Sequence, residues 1–112
     1  MVEYITELDE VFHCLGDATR RDILKRVALA GQAHRELSVS EVAAPYDVTL
    51  AAISKHLMIL EKAKLIRKRR EGNHNFIRLT PRALKDADTY LQRYRELWED
   101  RLNRLEDLLK DN

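Results

Sequence analysis

The last third of the chain constrains the fold most. Leu84, Leu91, Trp98 and Leu105 are spaced by seven, and Ala87, Tyr94, Arg101 and Leu108 form a second series with the same spacing. Sustained heptads of this kind specify a helix with a coiled-coil-like apolar seam. Thr80-Pro81 starts that helix, with proline at the first helical position, and the pattern carries it to about residue 110. A chain of 112 residues holds one modest core. Such a core cannot cover every face of so long a helix. Pairing with a second copy is the economical solution, helped by the first helix; folding back on its own domain is the alternative. The expected dimerisation residues are Leu8, Phe12, Leu84, Leu91, Tyr94, Trp98 and Leu105.

Upstream, Tyr4, Ile5, Leu8, Val11, Phe12 and Leu15 recur at three- and four-residue steps, an amphipathic helix ending near Gly16. Asp17-Ala-Thr-Arg-Arg opens a second helix, whose apolar face is Ile23, Leu24, Val27 and Ala28 or Leu29, and which stops at Gly31. Ser38 or Ser40 caps a short third helix; Ser38 with Glu41 has capping-box spacing. Pro45 breaks that helix, and Thr49 caps a fourth on which Ile53, Leu57, Leu60 and Lys64 share a face. A gap of about four residues between these two helices is a helix-turn-helix signal. From Leu65 the period changes. Two extended arms flank Glu71-Gly-Asn-His, a β-hairpin with a loop of about four or five residues. The chain reads as one domain over 1–112, mainly α with a small β-hairpin. It is a winged helix-turn-helix with N- and C-terminal dimerisation helices. The recognition helix covers about 49–63, the wing about 65–79 and the terminal helix about 81–110.

The chain is 45% hydrophobic and 35% charged, which excludes a disordered or low-complexity segment. No apolar run is long enough to span a membrane. The acidic N-terminus lacks a secretory pattern. Cys14 is the single cysteine, so no internal disulfide forms, and a cytoplasmic location is expected. No nucleophile–base pair, carboxylate pair or glycine-rich phosphate loop is evident, so no enzyme is expected. The net charge of +1 conceals an asymmetry: residues 1–48 carry −4, 49–80 carry +6 and 81–112 carry −1. A basic centre on a helix-turn-helix and wing suits a phosphate-binding surface. The alternative is a protein-interaction or DNA-organising module with no specific operator.

Leu15-Gly-Asp-Ala-Thr-Arg-Arg-Asp-Ile-Leu resembles the opening signature of the ArsR/SmtB family of transcriptional repressors. The stretch from Val48 to Ile66, with Ser54, His56, Leu57 and Leu60, is similar to that family's recognition helix. Arg69-Arg-Glu-Gly and Phe76-Ile-Arg-Leu resemble its wing. The resemblance covers roughly residues 4–110. It implies a homodimer on pseudo-palindromic double-stranded operator DNA, released by an inducer that is often a metal ion. Ser38 and Ser40 stand where metal-sensing relatives carry Cys-x-Cys, and serine is a poor ligand for soft metals. Asp86 and Asp88 have no histidine beside them in residues 81–112. The tail from Tyr94 is similar to a subgroup with no established metal site. No metal and no cofactor are therefore expected. An unknown small-molecule inducer remains open. Tyr90, Tyr94 and Trp98 read as dimer core, although an aromatic-lined dimer cleft could hold a small organic molecule.

With Ile53, Leu57 and Leu60 inward, helical geometry turns Ala51, Lys55, Met58 and Lys62 outward. Ala51 and Ala52 permit close approach to base edges. Ser54 and His56 can hydrogen-bond bases or phosphates, and Lys55 suits a phosphate or a guanine. Thr49 can direct its hydroxyl and nearby N–H groups to a phosphate. Leu50 stands where relatives often carry glutamine, so a bidentate adenine reader is lost; it is expected to pack inward, with a thymine methyl as the alternative. DNA shape is then expected to carry more of the specificity. On the hairpin, Arg67, Lys68, Arg69, Arg70 and Arg78 alternate between two faces. Its narrow tip of Gly72, Asn73 and His74 fits a minor groove, with Arg70 or His74 as probe. The expected DNA contacts are Thr49, Ala51, Ala52, Ser54, Lys55, His56, Lys62, Arg69, Arg70, Asn73 and His74. Cys14 is read as a buried small hydrophobe before a redox group. His34 is read as solvated in a loop.

Overall fold

A computed structural model describes residues 6–110. Tyr4 and Ile5, expected on the first helix, lie outside them. Helix α1 spans Glu7–Leu15 and starts on a capping box: Thr6 accepts from Asp9 N–H, and the Asp9 carboxylate accepts from Thr6 N–H. Helix α2 spans Ala18–Gln32 behind an Asp17 cap and runs past Gly31. Helix α3 is Val39–Ala43, α4 is Leu50–Lys62 and α5 is Pro81–Lys110. Strand β1 is Leu37–Ser38, β2 is Ile66–Glu71 and β3 is His74–Leu79.

The three strands form one antiparallel sheet in the order β1-β3-β2. Strand β1 is an addition to the predicted hairpin. Two residues carry no readable alternation, yet Leu37 opposite Ile77 fixes the register and buries one apolar side chain. The hairpin loop is Gly72-Asn73, shorter than the spacing predicts, because Glu71 and His74 pair across the tip. Gly72 lies at φ +61° and Asn73 at negative φ, the pattern of a type II′ turn. Residues 44–49 separate α3 from α4, a longer connection than the motif spacing suggests.

The core draws on every element. Ile23, Leu24 and Val27 of α2 pack with Val42 of α3, with Ile53, Leu57 and Leu60 of α4, and with Leu65, Ile66 and Ile77 at the sheet. Val11 and Cys14 close it from α1, and Ala87 from α5. On α2, Leu29 is exposed and Ala28 half-buried, and the apolar face continues from Val27 to Ala30, which packs against the core. Ser38 caps α3 through Glu41 N–H, which decides between the two serines.

Two helices end without glycine. His34 follows α2 at φ +58° and Lys64 follows α4 at φ +61°. Each end closes with paired bonds, Arg35 N–H to Ala30 C=O with His34 N–H to Gly31 C=O, and Leu65 N–H to Leu60 C=O with Lys64 N–H to Glu61 C=O. This is the Schellman arrangement. Lys64 therefore lies past the helix rather than on its apolar face, and its ammonium pairs with Glu7 of α1.

Helix α5 outruns the core. Ala83 and Leu84 are half-buried and Ala87 is buried, but every residue from Asp88 to Lys110 is exposed. At 1.5 Å per residue the helix is about 45 Å long. The radius of gyration is 18.5 Å, against roughly 13 Å for a compact chain of this size. Left-handed geometry at a side-chain-bearing residue is costly, so His34→Gly should raise stability by about 0.5–1 kcal/mol. Urea denaturation measures this; no gain would mean that the His34 backbone is unstrained.

Candidate nucleic-acid interface

Helix α4 presents two sides. Ile53, Leu57 and Leu60 are fully buried, which fixes its rotation against α2 and the sheet. Ala51, Lys55 and Met58 then face solvent, with Ala52 and Ser54 half-buried beside them. Thr49 accepts from Ala52 N–H at 3.1 Å, and its own hydroxyl proton stays free to donate. Leu50 does not pack inward. It is 57% exposed and Val48 54%, because the first residues of α4 project beyond the core. Met58 is 63% exposed.

His56 turns toward α2. Its Nδ1 lies 3.3 Å from Arg20 Nη1 and 3.9 Å from the Asp17 carboxylate. A guanidinium only donates, so Nδ1 accepts and the ring proton sits on Nε2, available to an outside acceptor. Arg20 also donates through Nε to Cys14 C=O at 2.8 Å and through Nη2 to His13 C=O at 3.4 Å. Arg21 donates to Leu15 C=O at 2.7 Å. The Arg20 N–H in turn holds the Asp17 carboxyl below the usual carboxylate range. Arg26 does the same service for α3, bonding Val42 and Glu41 carbonyls at 2.7 Å each while lying over the Tyr46 ring. Cys14 is fully enclosed, and burial pushes its thiol up. A protonated, covered thiol is a core side chain here.

Lys62 stands at the far end of α4, its ammonium 3.9 Å from Glu10 of α1. It does not join the group at the helix start. On the wing, Arg69 is held within the protein. It meets Glu36 at 3.0 Å and Glu71 at 2.8 Å, and its guanidinium lies over the Phe76 ring at 5.0 Å. Strand pairing explains this, since Arg69 is directly opposite Phe76 and shares a face with Glu71. Arg67 lies opposite Arg78, which concentrates positive charge at the wing base. Among the described residues Arg70 donates to Gly72 C=O alone, at 3.2 Å, and its side chain is exposed at the tip with Asn73 and His74.

Known proteins share this layout. A helix-turn-helix domain family matches residues 15–69. The HTH-type transcriptional regulator Rv2034 of Mycobacterium tuberculosis is 35% identical over 77% of this chain and 76% of its own length. A crystal structure of an ArsR family transcriptional regulator superposes with a TM-score of 0.75 at 30% identity, covering 88% of this chain and 97% of that one. The chain belongs to the ArsR/SmtB family. The transcriptional repressor SdpR of Bacillus subtilis is 29% identical over 75% of this chain and 84 residues in all, 88% of its length. The protein is thus a DNA-binding transcriptional regulator and not an enzyme.

In this ArsR/SmtB regulator the predicted residues divide into three groups. Thr49, Ala51, Ala52, Ser54 and Lys55 share the exposed start of α4. Arg70, Asn73 and His74 share the wing tip. Lys62, Arg69 and one nitrogen of His56 are engaged with acidic or basic partners inside the chain. Sequence reasoning did not assign Arg20, Arg21 and Arg26, whose partners are mostly backbone carbonyls that carry no side-chain signature. An arginine already neutralised releases few counterions. Lys55→Ala should therefore reduce the slope of log affinity against log salt by about 0.9 per protomer, while Arg69→Ala leaves the slope unchanged. Salt titrations of duplex DNA binding measure both. An equal change for the two variants would show that Arg69 leaves its glutamates for phosphate.

Proposed function

We propose that this regulator is a homodimer that binds double-stranded operator DNA sequence-specifically and represses transcription in the cytoplasm, without a metal or cofactor. The observation that carries this reading is the bare apolar seam of α5. Leu91, Tyr94, Trp98 and Leu105 lie exposed along one chain, Trp98 at 60%, together with Leu97, Leu102, Leu108 and Leu109. A stretch of that extent is a contact surface awaiting a partner, and a heptad seam matches itself. Leu8, Phe12 and Leu84 are half-buried at its inner end, where the Phe12, Tyr90 and Tyr94 rings meet in a row, tilted at 5.8 Å and edge-to-face at 5.1 Å.

Two copies would offer two α4 starts and two wing tips. Thr49 and the α4 N–H groups suit phosphate, Ala51, Ala52, Ser54 and Lys55 suit the major groove, and Arg70, Asn73 and His74 suit the minor groove. The His56 Nε2–H adds a phosphate donor. Repression is supported by the name of the relative SdpR. Absence of a metal is supported by Ser38, whose hydroxyl caps α3 and is a poor ligand for soft metals. For a small-molecule inducer, a cleft of about 860 Å³ between α1 and the start of α5, lined by Leu8, Val11, Thr80, Tyr90 and Arg93, gives support.

Sedimentation tests the reading. The wild-type protein should be a dimer at micromolar concentration. Leu91→Glu with Trp98→Glu should be a monomer with the domain fold intact by circular dichroism, and should lose at least tenfold in affinity for operator DNA. A monomeric wild type, or a dimer that survives both charges, would contradict it.

A further inference from the structure

We propose that Leu50 and Met58 read thymine, by packing against its C5-methyl group in the major groove. The inference rests on the operator-binding reading above and adds what the operator must contain. Three observations carry it. First, the residues that α4 turns outward from its first three turns are Leu50, Ala51, Ser54, Lys55 and Met58. None is Asn, Gln, Arg, Asp or Glu, so no side chain can form the bidentate pair with adenine; Lys55 suits a guanine, and the reading of A·T pairs falls to apolar contact with the thymine methyl. Second, Leu50 and Met58 are 57% and 63% exposed although apolar, and no element of the fold covers them. Third, they flank Lys55, whose ammonium has no acidic partner among the described residues, so phosphate attraction brings their methyl groups to the DNA.

The thymine methyl is the apolar feature of the major-groove floor, and apolar side chains discriminate by contacting it. Leu50, at the first residue of α4, sits where recognition helices meet base edges. Met58 lies about 12 Å further along the axis and reaches a different base pair. Its unbranched, flexible side chain adapts to that contact. The half-site is therefore expected to hold at least two thymines whose methyls matter.

The test uses duplexes recovered by selection from random-sequence DNA with the full-length protein. Each thymine of the recovered half-site is replaced in turn by deoxyuridine, which removes the methyl and keeps the base pair. The wild type should bind about three- to fivefold more weakly at each of two positions per half-site, the effect of one lost methyl contact. Leu50→Ala should abolish the discrimination at one position and Met58→Ala at the other. Both side chains are exposed, so the variants fold, and a merely structural loss would weaken binding without altering the thymine-to-uracil ratio. Equal binding of thymine and uracil everywhere would overturn the inference and leave DNA shape as the source of specificity. So would variants that keep the discrimination. Recovery of no preferred sequence would overturn both this inference and the operator reading.

Discussion

Arg20 is the side chain on which the arrangement of helices turns. From one position near the start of α2 it bonds the carbonyl end of α1, reaches His56 on α4 and, through its backbone N–H, fixes the Asp17 cap. The rest of the layout follows. Helix α1 packs on α5, so the element that carries the bare seam is tied to the element that carries the outward face of α4. The link is polar and partly enclosed, where charge-assisted hydrogen bonds are at their strongest. Arginine suits the role because its fork serves three acceptors in fixed directions, which a lysine cannot do. The buried stripe of Ile53, Leu57 and Leu60 sets the rotation of α4, and Arg20 sets its position relative to the seam.

Two surfaces of this protein face solvent for different reasons. Every residue of α5 from Asp88 onward is exposed, with Tyr90 against Phe12 as its contact to α1, and most helical stability in proteins comes from packing an apolar face. Its apolar residues are the surface that the proposed dimer would cover. The wing tip and α4 start have the opposite character. Apart from Leu50, they are small, polar or cationic groups on rigid backbone, held by a tight turn and a capped helix end. Arg69 shows how selective that display is. Its charge is consumed by Glu36 and Glu71, so the net positive charge of the central segment overstates what the surface offers to phosphate.

Much of the fold was legible because helices advertise themselves by period. The apolar steps of α1, α2, α4 and α5, the Thr49 cap and the Gly-Asn tip all carry local signals, and each element stands where its signal placed it to within a few residues. Strand β1 was invisible because two residues show no alternation and owe their conformation to β3. The site was legible to a lesser degree. Which face of α4 turns outward follows from the period alone. The engagement of Arg69, Lys62 and His56 does not, because Glu36, Glu10 and Arg20 are distant in sequence and near only after folding. Leu50 illustrates the same limit from the other side: its type suggests burial, but the helix start overhangs the core.

In the dimer we propose, two copies joined along α5 place two identical reading surfaces on one face of a duplex. Hydroxyl-radical footprinting of the protein on a selected fragment tests this directly. Two equal protected patches are expected on one face, related by a dyad and centred about one helical turn apart. A single patch with no dyad, or protection that spreads along the duplex without a boundary, would contradict it.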